Sequence, residues 1–166
     1  MLDTPIGVIN LGATATGLRF LQLPRRSEQD EQFVQGSADR VDRIAEAQLD
    51  EARQQVEEYF AGKRTEFDLS YDWAGVLGFR RTVLQLLAAV PFGDTTTYGA
   101  LAAGAGMPSA SQAVGGIMGS NPLPIVVPCH RVLAADGLGG FGGGLRMKEW
   151  LLAWEGVLPP ALDWDL

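Results

Sequence analysis

The chain opens with short apolar stretches, PIGVINL (5–11) and LRFLQL (18–23). Gly12 and Gly17 flank them, and the second alternates apolar with polar positions. They predict two short strands. RRSEQDEQ (25–32) predicts a charged loop. From Ser37 to Phe60 the period lengthens to that of a helix. Val41, Ile44, Ala45, Leu49, Ala52, Val56 and Tyr59 recur at three- to four-residue steps, and Gly62 ends the run. The Asp and Glu residues fall mainly between those positions, as on a solvated face.

Near residue 74 charge thins out, and Gly and Ala become frequent. GFRRTVLQLLAAV (78–90) predicts a buried helix stopped before Pro91. Thr97 can cap a short helix, YGALAAGA. Gly106, Met107 and Pro108 make a turn, and Ser109 or Ser111 can cap a second short helix, QAVGGIMG. Two short helices joined by a tight glycine turn form the helix-turn-helix pattern, although helical hairpins in general share it. Ile125, Val126 and Val127 predict a short buried strand or extended run. Six glycines within residues 137–144 require a loop. Leu145 to Glu155 is a last helix, carrying Trp150, Leu151 and Trp154 and ended by Gly156.

Composition narrows the class. A chain of 166 residues with 46% hydrophobic and 20% charged residues has the balance of an ordinary globular protein. No apolar run approaches the roughly 20 residues of a membrane span. The start, MLDTPIGV, lacks the basic and apolar regions of a signal peptide. A single cysteine allows no internal disulfide and no Cys/His zinc cluster. A cytoplasmic, soluble, metal-free protein is the expectation. The net charge of −7 argues against a protein that grips nucleic acid by electrostatics alone. That acidity is uneven: residues 1–74 hold 8 basic and 14 acidic groups, residues 75–166 hold 5 and 6.

The only cysteine and the only histidine stand side by side in IVVPCHRVL (125–133). A free cysteine is most often a small buried hydrophobe. A reactive one needs a lowered thiol pKa, through a base or a positive field. His130 is the only histidine for that task. Neighbouring residues diverge on strands and helices alike, so a bridging water is the natural relay between Cys129 and His130. The base would need an orienting carboxylate, for which Asp136, Glu149 and Glu155 are near in sequence. An ordinary cysteine hydrolase fits badly, because it would bring a sequence-distant histidine to the thiol.

VPCHRV (127–132), SxAVGGxMxxNPxPI (111–125) and GGLxxKxWLLxxEG (143–156) resemble the O6-alkylguanine-DNA alkyltransferases, or methylated-DNA–protein-cysteine methyltransferases. The likeness is dense from residue 74 onward and looser before it. It implies an α/β, RNase H-like domain over residues 1–73. A mainly helical domain with a helix-turn-helix of winged-helix type would follow over residues 74–166. The implied activity is single-turnover DNA repair without a cofactor: an alkyl group moves irreversibly from O6-alkylguanine, and by extension O4-alkylthymine, to the protein's own cysteine. The implied partner is duplex DNA, met by a monomer at the minor groove with the damaged base flipped out.

By position the resemblance makes Cys129 the acceptor and His130 the base acting through water. Glu155 becomes the residue that orients His130, and Asn121 buttresses the turn that presents Pro128 and Cys129. Tyr98, Gln112, Ala113, Gly115 and Arg131 would meet DNA, with Arg80 and Arg81 as further phosphate contacts. Tyr98, Pro124, Val132, Phe141, Gly142 and Gly143 would line the base pocket. Two departures stand out. Gln112 occupies the place of an arginine that fills the gap left by the flipped base, and Phe141 replaces a tyrosine. No Lys or Arg lies between Pro91 and His130. The DNA-handling surface is therefore weak in charge. That leaves as alternatives a lesion-sensing relative or a protein alkylating its thiol with small molecules.

Overall fold

The computed structural model describes residues 1–24 and 43–160. The loop expected at 25–32 and the first turns of the helix expected from Ser37 lie outside the described residues. The chain divides into two compact units, Met1–Arg64 with Asp68–Asp72 and Thr65–Phe67 with Trp73–Leu166.

Among the described residues, the first unit holds an antiparallel sheet of three strands, β1 (Leu2–Thr4), β2 (Gly7–Thr14) and β3 (Gly17–Gln22), in the order β1-β2-β3. The two expected strands are present with shifted ends, and β1 is an addition. It is too short to carry a periodicity signal of its own. Ala13 pairs with Leu18 while Gly12 pairs with Phe20, so Arg19 has no opposite number. That bulge resets the alternation, and Leu18 and Leu21, three residues apart, are both buried. Residues 70–72 run alongside β3, through Leu18 N to Ser70 O (2.8 Å) and Asp72 N to Leu18 O (2.9 Å). A side chain at Gly17 would meet Ser70 O at 2.3 Å, so this approach requires glycine.

Helix α1 (Arg43–Phe60) packs on this sheet. Ala52, Val56, Tyr59 and Phe60 are buried, but Ile44 is 60% exposed, so only the C-terminal half of the predicted apolar stripe meets the sheet. The Gln55 side chain is also buried. Its amide both donates to Asp68 O and accepts from Asp68 N, each at 2.8 Å, which satisfies the polar groups burial would otherwise strand.

Among the described residues, the second unit is built on four helices: α2 (Gly78–Ala88), α3 (Tyr98–Gly104), α4 (Ser111–Gly119) and α5 (Leu145–Trp154). Helix α2 buries Val83, Leu84 and Leu87 but leaves Leu86 37% exposed, so it is buried on one face rather than all round. Thr97 caps α3 as expected, accepting from Ala100 N at 3.1 Å. Neither serine caps α4: its N-cap is Ala110, with no side-chain bond. Ile125–Val127 is buried but forms a turn, not a strand. Val127 N closes onto Leu123 O at 2.7 Å, and Ile125 takes φ 73°.

A short parallel pair joins β4 (Thr96–Thr97) to β5 (Val132–Leu133), with Thr96 opposite Val132 and Thr97 opposite Leu133. Tyr98 follows β4 directly, and a 3-10 turn, Cys129–Arg131, directly precedes β5. This pair therefore brings the start of the helix-turn-helix beside the cysteine.

Candidate active site

Cys129 sits at the head of its 3-10 turn, 5% exposed. Two local bonds shape the segment before it. Asn121 Nδ2 donates to Val127 O at 2.7 Å, and Asn121 Oδ1 accepts from Leu123 N at 3.0 Å. One side chain thus ties both ends of the 123–127 turn. Burial pushes the Cys129 thiol pKa up, opposed by hydrogen bonding from Asn121 and the local main chain and by the charge of Lys148. The resting group is a thiol, and a base must take its proton.

His130 is fully buried. Its Nε2 lies 2.8 Å from Glu155 Oε1. Asp136 and Glu149, the other carboxylates near in sequence, are not in this contact. Glu155 also receives Arg131 in a bidentate pair, Nε to Oε2 and Nη2 to Oε1, both 2.8 Å. Burial by itself would raise the Glu155 pKa. The bonds from His130 and Arg131 outweigh it and hold the carboxyl at about 2. An ionised carboxylate only accepts, so His130 carries its proton on Nε2. Its Nδ1 has no hydrogen-bond partner among the described residues. Burial first, and the charges of Arg131 and Lys148 with it, lower the His130 pKa against the pull of Glu155.

Arg131 is consequently not a DNA contact. It is 4% exposed, with Nη1 on Val90 O at 2.5 Å and its guanidinium 6.0 Å from the Phe92 ring centre. Adjacency to His130 signalled a cation at the site, but only packing reveals that it faces inward.

Cys129 opens on a pocket of about 280 Å³. Tyr98, Phe141 and Gly142 line it, together with Gly140 and with Gly115, Met118 and Gly119 of α4. Pro124, Val132 and Gly143 are not among its lining residues. Pro124 is buried within the 123–127 turn, and Val132 is fully buried and committed to β5. Gly139 adopts φ 70°, and a Cβ there would stand 2.9 Å from the Tyr98 hydroxyl. The loop thus presses its backbone against the tyrosine. The Phe141 ring meets His130 edge-on at 6.4 Å.

Sequence reading assigned Lys148 no role. It is fully buried, and its Nζ donates to Val132 O (2.6 Å), Leu138 O and Gly140 O (3.2 Å). It therefore tethers the glycine loop to β5. Burial lowers its pKa to about 8, against the influence of Cys129. Spacing carries the missed signal: Lys148, Leu151, Leu152 and Glu155 fall on one helical face, so two charges stand in line with the apolar residues.

Gln112, Ala113 and Gly116 are exposed on α4. A Cβ built at Gly115, Gly116 or Gly119 meets nothing within 4 Å. These glycines do not serve helix packing within the protein. They leave a low surface at the pocket mouth.

Residues 78–157 match the family description "6-O-methylguanine DNA methyltransferase, DNA binding domain", and residues 1–72 match its "ribonuclease-like domain". The methylated-DNA–protein-cysteine methyltransferase of Mycobacterium tuberculosis is 38% identical over 169 residues, covering 96% of this chain and 93% of that protein. The enzyme of the same name from Methanosarcina acetivorans is also 38% identical, over 94% and 96% of the two chains. Among solved structures, the M. tuberculosis OGT in complex with DNA is similar with a TM-score of 0.76 and 34% identity, over 95% of this chain and 92% of that one. An O6-methylguanine DNA methyltransferase from Methanococcus jannaschii gives 0.63 and 29%, over 95% and 93%. With both halves of the chain matched, and with the cysteine, histidine and glutamate brought together in one buried site, this protein belongs to the O6-methylguanine-DNA methyltransferase family.

Proposed function

We propose that this protein repairs DNA by moving an alkyl group from the O6 of guanine onto Cys129, once per molecule. The observation that carries the reading is a buried thiol at the wall of a base-sized pocket, next to a histidine whose free nitrogen can accept a proton. Cys129 Sγ attacks the alkyl carbon. The S–H and O–C bonds break, and an S–C bond forms. The thiol proton passes through a bridging water to His130 Nδ1, and a proton returns to the guanine, which leaves as the neutral base. The balance needs no cofactor. The product is a thioether, which nothing in the site could hydrolyse, so turnover stops after one event.

Duplex DNA is the partner in this reading, with the damaged nucleotide turned out of the stack into the pocket. The low face of α4, Ala113 with Gly115 and Gly116, would approach the minor groove. Gln112 would stand in the gap and Tyr98 beside the extruded nucleotide. The protein would act as a monomer in the cytoplasm. No helix among the described residues is long and apolar enough to cross a membrane.

Incubation with a duplex containing O6-methylguanine should add one methyl group per chain, located on Cys129 by peptide mass mapping. Cys129→Ser should stay folded and gain no mass. Methyl transfer by the serine variant, or a label on any other residue, would sink the proposal. Labelling by free O6-benzylguanine but never by DNA would point to small-molecule chemistry instead.

A further inference from the structure

Arg131 stands next to the relay yet touches neither the pocket nor the surface. Its guanidinium spans both oxygens of Glu155, and a third donor is fixed on Val90 O. This fork makes two parallel bonds that a lysine could not reproduce. The charged and titratable groups around His130 are few: Glu155 at the end of α5, Lys148 within α5, and Cys129 and Arg131 on either side in the chain. The apolar edge of the Phe141 ring also meets it.

We infer that Arg131 is a positioning residue for alkyl transfer: by holding both oxygens of Glu155, it keeps His130 neutral with the proton on Nε2 and the lone pair on Nδ1. The inference rests on the reading of Cys129 as the alkyl acceptor. The physical reason is a charge count in a closed site. A buried carboxylate facing His130 alone would be neutralised by drawing a second proton onto the imidazole, because an unpaired buried charge is costly. An imidazolium has a proton on both nitrogens and cannot accept the one from the thiol. With Arg131 supplying the counter-charge, Glu155 stays ionised while His130 stays basic. The carboxylate then works as a hydrogen-bond acceptor that selects a tautomer.

The chain has one histidine, so nitrogen-15 NMR of its ring is free of overlap. The intact wild-type protein should show one protonated and one bare ring nitrogen at pH 7. Arg131→Met removes the charge while keeping an apolar chain of similar length. Its histidine should carry protons on both nitrogens at pH 7. Its transfer rate with free O6-benzylguanine should fall at least tenfold at that pH and recover as pH rises through the new pKa. Arg131→Lys keeps the charge without the fork and should restore most of the neutral signal. The wild-type measurement needs neither a folded variant nor alkyl transfer. A doubly protonated wild-type ring at pH 7 overturns the inference even if Cys129 alkylates normally. So does an Arg131→Met rate that is higher at pH 7, or one reduced equally at every pH. The first means a thiolate–imidazolium pair is the competent state, the second a purely structural role.

Discussion

Glu155 accepts from two partners at once, and its two roles predict two separable losses. Glu155→Gln keeps the shape but leaves Arg131 buried without a counter-charge. Breaking a buried pair from one side costs about 3–5 kcal/mol, so the melting temperature should drop clearly. The amide also presents His130 with a weaker acceptor. Transfer should therefore slow by roughly two orders of magnitude, the scale of a misplaced general base. The two effects are separated by measuring the rate well below the variant's own melting temperature. An unchanged rate in the folded variant would reduce Glu155 to an anchor for Arg131.

At the scale of helix α4, stability and function pull in opposite directions. Gly116 is exposed in a helix, with open space where a Cβ would stand. Gly116→Ala should therefore stabilise the helix, by about 1 kcal/mol on propensity alone. If the low face meets the minor groove, the same methyl group should slow transfer from duplex DNA on the order of tenfold, about 1.4 kcal/mol. Transfer from free O6-benzylguanine needs no groove and serves as the internal reference. Gln112→Arg tests the other feature of this helix, its lack of charge. A cation beside the pocket mouth should tighten duplex binding by about 1–2 kcal/mol and speed transfer from DNA by a similar factor. Equal effects of either substitution on the free-base and DNA reactions would mean that α4 is not the docking face.

For the whole molecule, the buried network ties stability to pH. Glu155 titrates near 2 when folded and near 4.5 otherwise, so its contribution is present above 4.5 and lost as pH falls toward 2. A shift of that size corresponds to about 3 kcal/mol. His130 is held below its ordinary 6.5, so the unfolded chain binds a proton there that the folded chain refuses. Both groups therefore remove stability in the same direction. The melting temperature should be level between about pH 7 and 8, below the range where Lys148 titrates, decline below about 6.5, and fall most steeply between 4.5 and 2. A level melting temperature from pH 7 to pH 3 would mean that the network is not closed to solvent. How much of this was legible beforehand follows from the range of the interactions involved. Local pattern located two of the three strands of the first sheet, the helix after Thr97 with its cap, and the glycine loop, because turn chemistry and periodicity act over a few residues. The adjacent Cys129 and His130 marked the candidate site for the same reason. Sequence spacing left three carboxylates open as partners of His130, and the family resemblance favoured Glu155. The bulge at Arg19 and the turn at Ile125 escaped, since each depends on what lies opposite in space. The inward side of Arg131 and the tether from Lys148 were decided only by tertiary structure. A charged side chain reads as a surface residue until folding brings it a carboxylate from a distant helix or the bare carbonyls of a loop. Burial then becomes the more stable place for it.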